Sequence, residues 1–315
     1  MLQGMHKVFY PIVYFIVYLV SLMPLKVHYL FADGLAFLLH RIVRYRRKVV
    51  LMNLSRAFPD LKYWGIDTLV QDYYRYLADN IVETLWSLSA TGKQMSALFE
   101  VEGDGILEEM VRKHGSVIVV MGHQGNWEFI ASMRRQDRDT DGNLRYADIV
   151  SAYKQQSGRI ADRLMTAIRM HSVKAHDFTG HVVESASFLR YVLKNRSEGV
   201  SSIYYMIADQ SSPLPKLAVN FLNQKTVIFN GPEHIAVKTG FPVVFLEDVK
   251  VAQGKYRVNY RLIAETPKET APGYISKTFM QLLEDSIREN RSSWLWSHRR
   301  WKYTFGRNDD KLIFL

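Results

Sequence analysis

Five short apolar runs rich in β-branched residues, at 116–121, 147–152, 202–208, 241–246 and 256–264, alternate with segments of helix length. The helical segments are 104–114, 156–170, 182–194, 232–239 and 273–290. A strand that is apolar on both sides needs cover on both faces. Helices supply that cover when they connect parallel strands. The pattern predicts an α/β fold with a mostly parallel sheet flanked by helices. The last two runs are separated only by a short turn through Gln253-Gly254, which suits one antiparallel addition at the sheet edge.

The chain ahead of this pattern has a different texture. Residues 8–25 carry no charge and, as a helix, would rise roughly 27 Å, close to the roughly 30 Å of a bilayer core. Pro11 and Pro24 bracket this segment, and Tyr10, Tyr14, Tyr18 and Tyr29 lie in or near it, a residue type that favours the headgroup zone. A membrane anchor or in-plane hairpin, a buried core helix and a cleaved signal segment are the three readings of such a stretch. The thin charged region ahead of it, His6 and Lys7, and the lack of a small-x-small site after Leu25 weigh against the signal. A second apolar stretch, 29–39, runs into the basic cluster Arg41, Arg44, Arg46, Arg47 and Lys48, which suits anionic headgroups. Residues 67–88 then show helical apolar spacing. The expected organisation is membrane-associating helices over 1–40, a helical layer over 41–98 and the α/β domain over 99–315.

Across the 315 residues, 41 Lys and Arg outnumber 31 Asp and Glu, a net charge of +10 that favours anionic partners. Cysteine is absent, which removes disulfides, thiolate metal sites and cysteine nucleophiles. No His-Glu-x-x-His, Gly-x-Ser-x-Gly or P-loop pattern occurs. The expectation is a reaction with no metal and no cofactor. His171, His176 and His181 recur every five residues, a spacing that does not align them on a helix, and read as a solvated loop.

The most informative stretch is Val117-Ile118-Val119-Val120-Met121-Gly122-His123-Gln124-Gly125-Asn126-Trp127-Glu128-Phe129. A buried strand ends at Gly122, a polar turn follows, and a helix begins near Trp127. Catalytic groups of open α/β sheets gather at the carboxyl ends of strands, where His123 stands. His123 and Glu128 lie five positions apart, about 140° around a regular helix, so they meet only if the chain folds back before the helix starts. Gly122 and Gly125 permit such a turn. A carboxylate on one imidazole nitrogen would orient the ring and leave the other to take a proton from a hydroxyl. The spacing alone is not distinctive, since His28 and Asp33 share it; the strand-end context carries the argument.

Gly-His-Gln-Gly-Asn-Trp-Glu resembles the His-x-x-x-x-acid motif of the lysophospholipid acyltransferase superfamily, and its Asn-Trp-Glu ending is similar to the late lauroyl/myristoyl acyltransferases of lipid A biosynthesis. Four further blocks resemble that family in the same order: Ser151-Ala152-Tyr153-Lys154, Ala208-Asp209-Gln210, Asn230-Gly231-Pro232 through Pro242-Val243-Val244, and Trp294-Leu295-Trp296-Ser297-His298-Arg299-Arg300-Trp301-Lys302. Lys154 stands where the family more often has arginine, and Ser211-Ser212-Pro213 stands where it usually has a glycine.

The resemblance implies transfer of a fatty acyl group from an acyl thioester to a hydroxyl of a lipid A precursor. The donor would be acyl carrier protein or acyl-CoA, and the site of action the cytoplasmic face of the inner membrane. His123 would be the base and Glu128 the acid that polarises it. Gln124, Asn126, Lys154, Asp209, Gln210, Arg299 and Arg300 are the candidate substrate-binding residues. An acyltransferase with another lipid acceptor, an aminoacyl lipid or a glycolipid such as a phosphatidylinositol mannoside, keeps the same chemistry. A non-catalytic basic membrane protein is the contrasting class, and an intact His123/Glu128 pair argues against it. The aromatic and basic C-terminal block suits a headgroup belt or a packed helix better than nucleic acid.

Overall fold

A computed structural model describes residues 2–133, 148–155, 158–211, 217–302 and 312–315. Ala147, Gln156, Ser212 and Pro213, which the sequence reading included, lie outside the described residues.

The apolar runs form the strands β2 (Val117–Met121), β3 (Asp148–Tyr153), β5 (Ser202–Ile207), β8 (Val243–Ala252) and β9 (Lys255–Ala264). Together with β1 (Phe99–Glu102) and β4 (Gly180–Glu184) they make a seven-stranded sheet in the order β1-β9-β8-β2-β5-β3-β4. The run β8-β2-β5-β3-β4 is parallel; β9 runs antiparallel to β8, and β1 is parallel to β9. The sheet is therefore mixed, and β1 rather than β9 closes that side. A second, three-stranded sheet joins β6 (Leu217–Phe221), β7 (Gln224–Val227) and β10 (Ile313–Phe314).

Helices cover both faces, as apolar strands require. Alternate residues of β2 serve two separate cores. Ile118 and Val120 pack in one with α3 (Arg47–Ala57), α4 (Tyr63–Trp86), α8 (Phe188–Ser197), α9 (Gly231–Thr239) and α10 (Tyr274–Glu289). Val117, Val119 and Met121 pack in the other with α5 (Gly92–Ser96), α6 (Gly105–His114) and α7 (Arg159–Ala175). The segment expected to be one helix over 182–194 is split: β4 takes its first residues and α8 the rest. His171 and His176 do not lie on a solvated loop. They belong to α7 and its end, and His176 is fully buried, bonded to Ser96, Ser132 and the Ser172 carbonyl.

The N-terminal apolar stretch is not one straight helix. Among the described residues no single helix is long and apolar enough to cross a membrane; Phe9–Ser21 and Leu25–Ile42 form a pair bent by 111°. Pro24, at extended ψ, sets the break between α1 (Leu2–Ser21) and α2 (Leu25–Phe37). Ala32 and Ala36 seat α2 against Ala78 and Val82 of α4. Ile12, Phe15, Ile16 and Leu19 of α1 form an exposed apolar stripe at helical spacing, and Leu30, Phe31 and Phe37 of α2 are exposed too.

Candidate active site

Strands β2 and β5 are hydrogen-bonded neighbours, with Met121 opposite Ile207. Each side chain two residues past a strand end is thereby brought to the same place: His123 after β2 and Asp209 after β5. The pairing extends one step, since Ala208 N–H donates to the Met121 carbonyl at 2.9 Å. Gly122 has no room for a side chain, because a Cβ there would lie 2.6 Å from a Leu283 methyl.

Asp209 is 2% exposed and takes three bonds. The His123 ring Nδ1 lies 2.6 Å from Oδ1, the His123 backbone N–H donates to Oδ2 at 2.9 Å, and Trp294 Nε1–H donates to Oδ2 at 2.8 Å. Burial by itself raises a carboxyl pKa, but the His123 charge and these bonds outweigh it and hold Asp209 well below the usual carboxylate range. An ionised carboxylate only accepts, so Nδ1 carries the proton, and in the neutral form of the ring Nε2 is the acceptor. The Gln210 amide nitrogen sits 3.4 Å from that Nε2. The Trp127 ring meets the imidazole edge-on, with centroids 5.1 Å apart.

The expected partner of His123 was Glu128, and the structure puts Asp209 on the ring nitrogen instead. Past Gly125 the chain enters a short 3₁₀ helix, Trp127–Ser132, with Glu128 in its first turn. There the carboxylate is gripped by Arg169 of α7, with Nε–H and Nη2–H donating at 2.7 and 2.8 Å, a two-pronged pair. The Glu128 side chain is 12% exposed and that of Arg169 22%.

Of the other candidates, Gln124 and Asn126 are buried rather than open to a substrate, with exposures of 2% and 1%. Gln124 lies in a short bridge to Trp294, closed by Gly125 N–H to the Ser293 carbonyl and Leu295 N–H to the His123 carbonyl. Gly125 adopts a positive φ of 61°, and its carbonyl accepts from Tyr76 Oη at 2.7 Å and Asn80 Nδ2 at 2.8 Å. The motif turn is thus fixed on both flanks. Lys154 is exposed just past β3, the strand next to β5. Arg299 is exposed, whereas Arg300 is 1% exposed and none of its three guanidinium nitrogens has a hydrogen-bond partner among the described residues. Burial pushes the Arg300 pKa down to about 10, against the pull of the Asp209 charge. The C-terminal block is neither a helix nor a surface belt: Trp294 and Trp296 are buried in the core against each other. Among the described residues no group of three or more His, Asp or Glu side chains is placed to hold a metal ion.

The sequence reading missed Arg169, Tyr76 and Asn80, and it took Trp294 only as part of a block. Arg169 lies on an amphipathic helix with nothing to mark it, and the α4 residues sit at ordinary core positions.

The fold and the site together define a class: an α/β protein with a carboxylate-bound histidine at the carboxyl ends of adjacent parallel strands. The family model for bacterial lipid A biosynthesis acyltransferases matches residues 5–303, and the chain belongs to that family. It is an acyltransferase, of a family that acts on a lipid acceptor. Comparison with curated proteins gives no match.

Proposed function

We propose that this enzyme moves a fatty acyl chain from an acyl thioester, carried by acyl carrier protein, to a hydroxyl of a lipid A precursor, with His123 as general base. The observation that carries the reading is the 2.6 Å contact between His123 Nδ1 and Asp209, which leaves Nε2, faced by the Gln210 amide, as the nitrogen that takes the proton. In the proposed reaction the acceptor hydroxyl passes its proton to Nε2 as its oxygen attacks the thioester carbonyl. The C–O bond forms, the C–S bond breaks, and the imidazolium returns the proton to the leaving thiolate. Asp209 orients the ring and balances its charge in between. The Gln210 amide, 3.4 Å from Nε2, is within reach of the oxyanion that develops beside it. Glu128, the acid of the motif, enters as a positioning or substrate-binding group held by Arg169.

The acceptor and donor are lipids or lipid carriers, so the reaction belongs at a bilayer surface. In this reading the exposed stripe of α1, the apolar face of α2 and the exposed Arg41, Arg44 and Lys48 seat the chain on the cytoplasmic face of the inner membrane. Residues 1–40 act as the membrane-associating unit, 41–98 as the helical layer and 99–315 as the catalytic domain. Comparing the lipids of a deletion strain with the parent by mass spectrometry tests the acceptor. Loss of one acyl group from lipid A supports the reading; loss from an aminoacyl lipid or a glycolipid points to the other acceptors.

A further inference from the structure

Glu83 of α4 is a fully buried carboxylate far from the motif in sequence. Its Oε2 accepts from Asn126 Nδ2 at 2.7 Å and from Tyr256 Oη of β9 at 2.5 Å. Its Oε1 accepts from Tyr29 Oη of α2 at 2.8 Å. Tyr29, which the sequence reading assigned to a headgroup zone, is turned inward to this carboxylate. Asn126 is the third residue after His123, and its backbone N–H is taken at 2.7 Å by Asp248 Oδ2 of β8, a second carboxylate, 2% exposed. Asp248 also packs so closely on Gly125 that a Cβ there would lie 2.1 Å from its carboxyl carbon. The turn that aims His123 thus stands on two buried acid side chains. Two buried acids are costly in an apolar interior, which argues that their bonds do something a hydrophobic pair would not.

The same hub reaches the N-terminal hairpin. Tyr29, Glu83 and Asn126 form an unbroken chain of hydrogen bonds from α2 to the active-site turn. An anchor needs only an outward apolar face. This helix has that face and also spends an inward tyrosine on the acid that holds the turn.

We propose that Glu83 is the positioning residue of the catalytic turn, and that Tyr29 makes the N-terminal hairpin a working part of the active site. The inference rests on the acyl-transfer reading for its kinetic readout. Displacing a catalytic group by about 1 Å can cost up to 10²-fold in rate, so loss of one support should appear in kcat.

The test uses the full chain in neutral detergent micelles, with no bilayer to seat on. Tyr29→Phe, which removes one hydroxyl, should lower kcat about tenfold with KM within about twofold, and should speed amide exchange across 123–129. Glu83→Gln, which cannot accept at its amide nitrogen, should lower kcat further. Val82→Ala removes methyl groups from the same α2–α4 contact without touching the hub; it should lower the melting temperature and leave kcat unchanged. Tyr29→Phe with wild-type kcat and wild-type exchange would overturn the proposal. So would a loss of kcat in Val82→Ala as large as that in Tyr29→Phe. If the wild-type protein itself transfers no acyl group, the proposed function falls, and the exchange comparison alone decides whether α2 holds the turn.

Discussion

The Asp209 carboxylate holds His123 by two atoms, ring and backbone: Nδ1 lies 2.6 Å from one oxygen and the main-chain N–H 2.9 Å from the other. Rotation of the imidazole and slippage of the strand end are restrained by a single acid.

If His123 is the base, His123→Ala should lower single-turnover acyl transfer by about 10²–10⁴-fold. Asp209→Asn should be comparably severe. An amide can offer its N–H to Nδ1, which favours the tautomer with the proton on Nε2, the wrong nitrogen for a base. In the flipped orientation the amide nitrogen instead faces Trp294 Nε1–H and the His123 N–H, whose bonds it cannot accept. An Asp209→Asn enzyme with normal turnover would remove Asp209 from the mechanism.

Arg169 is expected to matter because Glu128 depends on it. Arg169→Gln leaves a mostly buried carboxylate without its counter-charge and should cost up to about 3 kcal/mol, read as a lower urea midpoint and reduced turnover. Arg169→Lys keeps the charge and loses the fork, so it should recover stability better than activity. If neither variant changes turnover, the Glu128–Arg169 pair is structural only.

Stability should fall in mild acid. Burial depresses the folded-state pKa of His176, and burial together with the charges of His123, Arg300 and Lys302 pushes His298 down to about 4, Asp209 pulling the other way. The unfolded chain binds these protons first, at about pH 6.5. The histidine contribution is therefore complete above about pH 6.5 and is lost as pH drops from there toward the folded-state values, for His298 toward about 4. Urea midpoints at pH 7.5 and 5 measure it, and His298→Gln should flatten the difference. Equal midpoints at the two pH values would contradict the expectation.

The basic cluster offers a test of donor docking. Arg46 is not a free surface charge, because its Nη1 donates to the Ser297 carbonyl at 3.1 Å. Reversing Arg41, Arg44 and Lys48 to Glu therefore probes the surface with less damage. If acyl carrier protein docks there, donor KM should rise at low salt and the defect should shrink as the Debye length falls to about 8 Å at 0.15 M. Persistence of the defect in micelles without anionic lipid indicates the carrier; its disappearance indicates headgroups. An unchanged KM in both excludes the cluster as either surface.

Much of the fold was legible because its strands are dense in β-branched residues and its helices are long enough to read. β4 escaped because Gly180–Glu184 is short, half-exposed and separated from the next helix by only a three-residue turn. β6 and β7 escaped because their turn uses Leu222 and Asn223 at positive φ, with no glycine to mark it. At the site, the sequence could place His123 and Asp209 each at a strand end, but not beside one another. That requires knowing that β2 and β5 are neighbours, a fact of sheet order. Glu128 looked like the partner because it was near in sequence, whereas the bond is made across the sheet. Glu83, Asp248 and Arg169 had no local signal, since their roles exist only once distant elements pack.

The central claim is acyl transfer to a lipid A precursor with His123 as base. The most direct measurement incubates the purified full chain with an acyl-carrier-protein thioester and a lipid A precursor bearing free hydroxyls, and reads the acceptor by mass spectrometry. The account predicts an acceptor heavier by one acyl group with the wild-type protein, and its loss with His123→Ala at unchanged melting temperature. An acceptor unchanged by the wild-type protein, or acylated equally well by a folded His123→Ala variant, would contradict it.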